Sequence, residues 1–150
     1  MKKFAILLTG LLAAGAALAG SKQGKAEDAW RATLPEPNAD YGTLPNDHES
    51  IVKTFYGDIL KDPDSAKYSD FIGPRQNYRI LSLKERSVQY GYVVCVRINA
   101  KNSYGGYTGK KLAWLFIRDN TVVDSAIEDS SDVFEKIKIL GALNRGDCKE

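Results

Sequence analysis

One histidine and two cysteines in 150 residues leave few catalytic options. His48 stands alone near the expected start of a helix, so Ser-His-Asp and Cys-His arrangements have weak support, and solvation is its plainer role beside that of ligand or base. No Cys/His spacing suits zinc, and Cys95 and Cys148 do not form a redox C-x-x-C pair. Asp58, Asp62, Asp64 and Asp70 lack the Asp-x-Asp-x-Asp-Gly run and closing Glu of a calcium loop. Capping and solvation account for them. The run Gly105–Lys110 fails as a phosphate loop, because Lys111 stands where a hydroxyl is needed and the run leads into a strand. No metal and no cofactor are expected.

Charge of one sign and a long apolar run are also missing. Phe4 to Leu18 is apolar apart from Thr9 and small glycines, shorter than the roughly 20 residues of a spanning helix. It follows the basic start Met1-Lys2-Lys3 and precedes Ala17-Leu18-Ala19, an A-x-A cleavage signal. Residues 1–19 therefore read as a cleaved secretory signal peptide. Leu18-Ala19-Gly20-Ser21 has the form of a lipoprotein acylation box with Ser21 in place of the acceptor thiol, so a non-acylated exported protein, periplasmic or secreted, is expected. Loss of Lys2 and Lys3 leaves 19 basic and 19 acidic residues of the original 21 and 19. That near-neutral balance has no electrostatic footprint for nucleic acid or an anionic membrane.

Export permits a disulfide between Cys95 and Cys148. Such a bridge pins the C-terminus to the central strand and contributes about 4 kcal/mol in the chain-entropy model. The alternative is a buried core thiol and a free terminal one.

The rest is organised as follows. Residues 20–45 are polar, carry Pro35, Pro37 and Pro45 and lack periodicity, which predicts a flexible linker. A single domain, 46–150, follows. Ile51, Val52, Phe55, Ile59 and Leu60 share one face of a helix from about Asp47 to Lys61, with Asn46 as N-cap and Glu49 completing a capping box. Gly73-Pro74 marks a turn, and Tyr78 to Leu83 reads as a strand. Val88 to Asn99 alternates most clearly: Val88, Tyr90, Tyr92, Val94, Val96 and Ile98 face the core, while Cys95 looks toward a thinner layer with the C-terminal segment. Lys111 to Arg118 and Thr121 to Ile127 are two further strands joined by Asp119-Asn120, a tight hairpin signal. Asp132 and Glu135 cap a last helix to about Ala142. The fold class is α+β: a three- or four-stranded antiparallel meander with an N-terminal and a C-terminal helix packed on it.

The connection Asn99–Gly109 is longer than a hairpin needs. Its Tyr, Asn, Ser and Gly suit recognition by rigid aromatics and adaptable hydrogen bonds. Lys101, Asn102, Tyr104 and Tyr107 are the candidate partner-binding residues. Equally, the glycines serve as turns and the tyrosines pack back on the sheet rim.

Leu60-Lys61-Asp62-Pro63-Asp64-Ser65-Ala66-Lys67-Tyr68, Val94-Cys95 and Asn99 to Gly109 together resemble a group of small, uncharacterised exported bacterial proteins that share a DPxSAK turn and an NxKNSxGGYxG loop. The resemblance spans roughly residues 51–118. It departs at Val96, where the pattern has Gly after the cysteine. The resemblance implies export and a small domain, and no activity.

Three functions compete. The first is a non-catalytic exported binding domain with an envelope protein or cell-wall glycan as partner. The second is a carboxylate-based envelope glycan hydrolase using Asp124, Glu128 and Asp129, although capping explains the acidic run 128–132. The third is a structural subunit of an envelope complex, attached through the arm Gly20–Pro45.

Overall fold

The computed structural model describes residues 19–128 and Cys148. Residues 1–18 of the expected signal peptide and the expected C-terminal helix lie outside the described residues. The chain divides into two units, up to Leu34 and from Pro35 onward. In the first, α1 spans Ala19–Arg31. Lys, Gln, Ala and Glu are good helix formers, and Arg31 closes an i,i+4 ion pair with Glu27 at 2.9 Å. This part of the stretch expected as flexible linker is thus helical.

The second unit is an α+β fold around one four-stranded antiparallel sheet: β1 (Lys67–Ser82), β2 (Ser87–Asn99), β3 (Lys111–Arg118) and β4 (Thr121–Ile127), in the order β1-β2-β3-β4. Helix α2 (His48–Gly57) precedes them, followed by a short 3-10 turn, Pro63–Ser65. The helix is capped by Asp47, whose carboxylate accepts from the Ser50 N–H at 3.4 Å, rather than by the expected Asn46. It ends at Gly57, before the expected Lys61, because glycine is a poor helix residue and Pro63 forbids continuation. Val52 and Tyr56 of α2 pack with Val94, Val96 and Ile98 of β2 and Ala113, Leu115 and Ile117 of β3. Each of the Val, Ile and Leu side chains contributes about 1.5–3 kcal/mol by leaving water. Burial pushes the Tyr56 phenol well above its ordinary pKa, and the neighbouring Tyr68 adds to it.

On the opposite face Val93, Cys95 and Phe116 pack with Ile72, Leu112, Trp114, Val123 and Cys148. Cys95 is bonded to Cys148, with 5.6 Å between their Cα atoms. The disulfide thus covers the centre of the second face.

Strand β1 begins eleven residues earlier than expected, at Lys67 rather than Tyr78. Gly73-Pro74 does not turn the chain. It lies within the strand, where the register against β2 slips on either side of Ile72. β1 is an edge strand, and edges tolerate proline and bulges. Gly73 has φ +102°, and a Cβ there would lie 2.5 Å from the Val93 carbonyl oxygen, so only glycine fits.

Residues 35–45, also expected as linker, are held against the sheet. Tyr41 stacks edge-on to Tyr90 at 5.4 Å and leans on Tyr92 at 6.1 Å. The Tyr90 hydroxyl accepts from the Glu36 N–H at 3.1 Å. Arg118 donates to the Asp40 carbonyl, the Asp40 carboxylate and the Tyr90 carbonyl, at 2.7, 2.7 and 2.8 Å. The adjoining β3–β4 turn joins in: Asp119 and Asn120 take φ +50° and +60°, as a two-residue hairpin requires, and Asp119 accepts from the Thr43 N–H at 2.9 Å. These partners are far away in sequence, which is why composition alone read the segment as loose.

Two outcomes follow. Replacing both cysteines with alanine should lower unfolding stability by about 4 kcal/mol, because the closed loop of 53 residues is freed in the unfolded chain. Urea midpoints with and without reductant check this, and coincident midpoints would contradict it. The second concerns acid. The Gly42 N–H, and then Arg118, hold the Asp40 carboxyl below the usual carboxylate range. Its contribution is therefore complete above that range and is lost as pH falls through the depressed value. Asp40→Asn should flatten the acid limb of a melting-temperature profile, and an unchanged limb would exclude the contact.

Candidate functional site

Strand β2 ends at Asn99 and β3 starts at Lys111, yet the connection does not wander. Lys101 and Tyr107 form an antiparallel bridge beyond the sheet. The Asn102 N–H donates to the Gly106 carbonyl at 2.8 Å, and the Gly105 N–H returns to the Asn102 carbonyl at 3.0 Å. This is a second, narrower hairpin on the end of the β2–β3 pair. Its tip is organised by Asn102, whose side-chain oxygen accepts from the N–H groups of Tyr104 and Gly106 at 2.9 and 3.1 Å. At the base, the Asn99 side-chain oxygen accepts from the Gly109 N–H at 3.1 Å. Gly105 and Gly109 occupy left-handed φ of +79° and +90°.

Among the four candidate residues the roles divide. Asn102 is a scaffold for the turn. Tyr104 projects at the tip with 97% of its surface exposed, so it does not pack on the sheet rim. Tyr107 is 44% exposed. Lys101 places its ammonium 5.6 Å from the Tyr107 ring centre.

A second stretch joins them. The Lys67 ammonium stands 4.8 Å from the same Tyr107 ring. Lys61 donates to the Ser103 hydroxyl at 2.8 Å, and the Ser65 hydroxyl accepts from the Lys101 N–H at 3.2 Å. Segments 60–68 and 99–109 thus form one surface. Lys67 and Lys61 were not among the expected site residues. Pairing of Lys67 with Asn99 carries Lys67 to the hairpin root, but that register is legible only once β1 is known to start there. Beside the hairpin, Asp70 makes exposed ion pairs with Arg97 at 3.7 Å and Lys110 at 3.9 Å. Such pairs contribute little, typically about 0–1 kcal/mol.

The carboxylates considered for hydrolysis have other work. Asp124 is paired with Arg79 at 3.1 Å and accepts from the Ser125 N–H at 2.9 Å. Arg79 is itself held by the Gln89 side chain at 2.7 Å. Glu128 exchanges hydrogen bonds with the Leu112 backbone, its N–H donating at 2.7 Å and its carboxylate accepting at 3.3 Å. Asp129 lies outside the described residues. Between α2 and the β3–β4 turn runs a groove of about 340 Å³. Ile51, Phe55 and Val122 line it with Asp47, Ser50, Thr54, Asn120 and Thr121, and neither Asp124 nor Glu128 does. The His48 ring lies 6.1 Å from Phe71, and its Nδ1 is buried without a hydrogen-bond partner among the described residues. Among those residues no group of three His, Cys, Asp or Glu side chains is placed to hold a metal ion, and no helix is long and apolar enough to cross a membrane.

No family model, curated protein or solved structure matches this chain.

If Asn102 organises the tip, Asn102→Ala should speed amide exchange at Tyr104 and Gly106 at least about tenfold, the equivalent of about 1.4 kcal/mol, while β2 amides stay protected. Unchanged exchange at both tip amides would remove Asn102 from that role.

Proposed function

We propose that the chain is an exported, non-catalytic binding domain. Its recognition surface is the hairpin tip, Lys101 to Tyr107, flanked by Lys61 and Lys67, and its partner is an envelope protein or a cell-wall glycan. The observation that carries this reading is a hairpin tip at which two distant segments join, with Tyr104 beside the junction left almost wholly in water. Folding alone gives no reason to hold Tyr104 there, since its ring buries nothing. The backbone beneath it is already hydrogen-bonded, so binding has little left to order.

The engagement of Asp124 and Glu128 in structural contacts favours binding over hydrolysis. Export rests on the basic start, short apolar run and A-x-A site of residues 1–19, and a disulfide that suits an oxidising compartment agrees with it. The domain then acts in the periplasm or outside the cell.

Tyr104→Ala, alone and with Tyr107→Ala, tests the reading. Recovery of partners from native envelope extracts should be abolished by the double variant and weakened by the single one. The single variant should leave stability within about 0.5 kcal/mol, as expected of an exposed site. Retained recovery with lowered melting temperature would make the tyrosines structural.

A further inference from the structure

We infer that the hairpin binds a polysaccharide bearing carboxylates; this rests on the binding reading above and names its ligand class. The first argument is charge. Lys67 and Lys101 place two ammonium groups within 4.8 and 5.6 Å of one Tyr107 ring. Neither has a carboxylate partner among the described residues. The ring face attracts cations but does not neutralise them. Both charges lie near one ring, so an anion bound beside them is attracted by both. Lys110 and Arg97 extend the cationic surface, and their exposed pairs with Asp70 are weak enough to exchange for a ligand carboxylate. Asp62 and Asp64 lie on the turn that carries Ser65, whose hydroxyl accepts from the Lys101 N–H.

The second argument is size and shape. A stable protein interface needs roughly 20–30 residues on each side. The projecting unit here is the short hairpin end Lys101 to Tyr107 with Lys61 and Lys67 beside it. A tip of this size suits one or two sugar rings. A polymer makes such a small contact effective, because neighbouring repeats rebind at high local concentration. The Tyr104 ring offers an apolar face for the C–H face of a sugar and a hydroxyl for its polar edge. Lysine ammonium groups are compact, mobile point charges. They suit carboxylates spaced along a flexible chain better than one rigidly presented anion.

The test is a titration of the full chain with polygalacturonate, fully methyl-esterified polygalacturonate, dextran and poly-L-glutamate. Polygalacturonate should bind, and its esterified form and dextran should bind at least about tenfold more weakly, or about 1.4 kcal/mol. Lys67→Gln with Lys101→Gln should reduce binding by a similar factor, and Lys67→Arg with Lys101→Arg should keep it. Tyr104→Ala should weaken polygalacturonate binding without changing its salt dependence. Equal binding of the esterified polymer or dextran overturns the carboxylate and leaves the binding reading standing. Equal binding of poly-L-glutamate overturns the sugar and points to an acidic protein partner. If no polymer binds while envelope recovery still depends on Tyr104, only the ligand class fails. If envelope recovery is also independent of Tyr104, the binding reading fails with it.

Discussion

Strand β2 is buried on both faces, and the rest of the fold answers that constraint. Val94, Val96 and Ile98 on one side and Val93 and Cys95 on the other must all leave water. A sheet with one free face does not satisfy them. Helix α2 supplies one layer through Val52 and Tyr56. On the other face a covalent bond brings Cys148 to Cys95 at the middle of the strand. β3 meets the same demand as β2, with Leu115, Phe116 and Ile117 buried in succession.

A second, polar junction closes the other end of the sheet. Arg118 gathers Asp40, Tyr90 and Asp119 at the β3–β4 turn, and three tyrosines from three segments meet nearby: Tyr41, Tyr78 and Tyr90. Gly42 takes φ +73°, which favours glycine, and a Cβ there would lie 2.5 Å from an Asp119 carboxylate oxygen, which would have to shift. One end of the sheet is therefore committed to holding its own chain. The hairpin end carries exposed lysines and Tyr104 instead.

The meander was legible in the sequence because its signals are local. Alternation from Val88 to Ile98 placed Cys95 opposite the main core face, and Asp119-Asn120 announced a turn that both residues can adopt. Local signals also misled. Gly73-Pro74 has the chemistry of a turn, and only its place on an edge strand turns it into a bulge. Asn46 and Asp47 are equally good caps, and geometry chose Asp47. Non-local contacts left no trace at all: nothing in the spacing of residues 35–45 announces Arg118. At the candidate site, composition drew attention to Tyr104 and Tyr107, and to Lys101 and Asn102 beside them. The division between a scaffold asparagine and a projecting tyrosine needed the hairpin's hydrogen bonds. Lys67 needed the register of β1.

The disulfide also determines how the domain carries load. The Cys148 bond leads directly to the middle of β2. Tension applied to the chain beyond Cys148 passes through the sulfur bridge into the centre of the sheet. The covalent loop between the two cysteines contains β3, β4 and the projecting hairpin, so all three are bypassed. A chain pulled from its C-terminus would keep its hairpin slack and in shape while the sheet bears the force. A single backbone cut within that loop would likewise leave the two pieces joined.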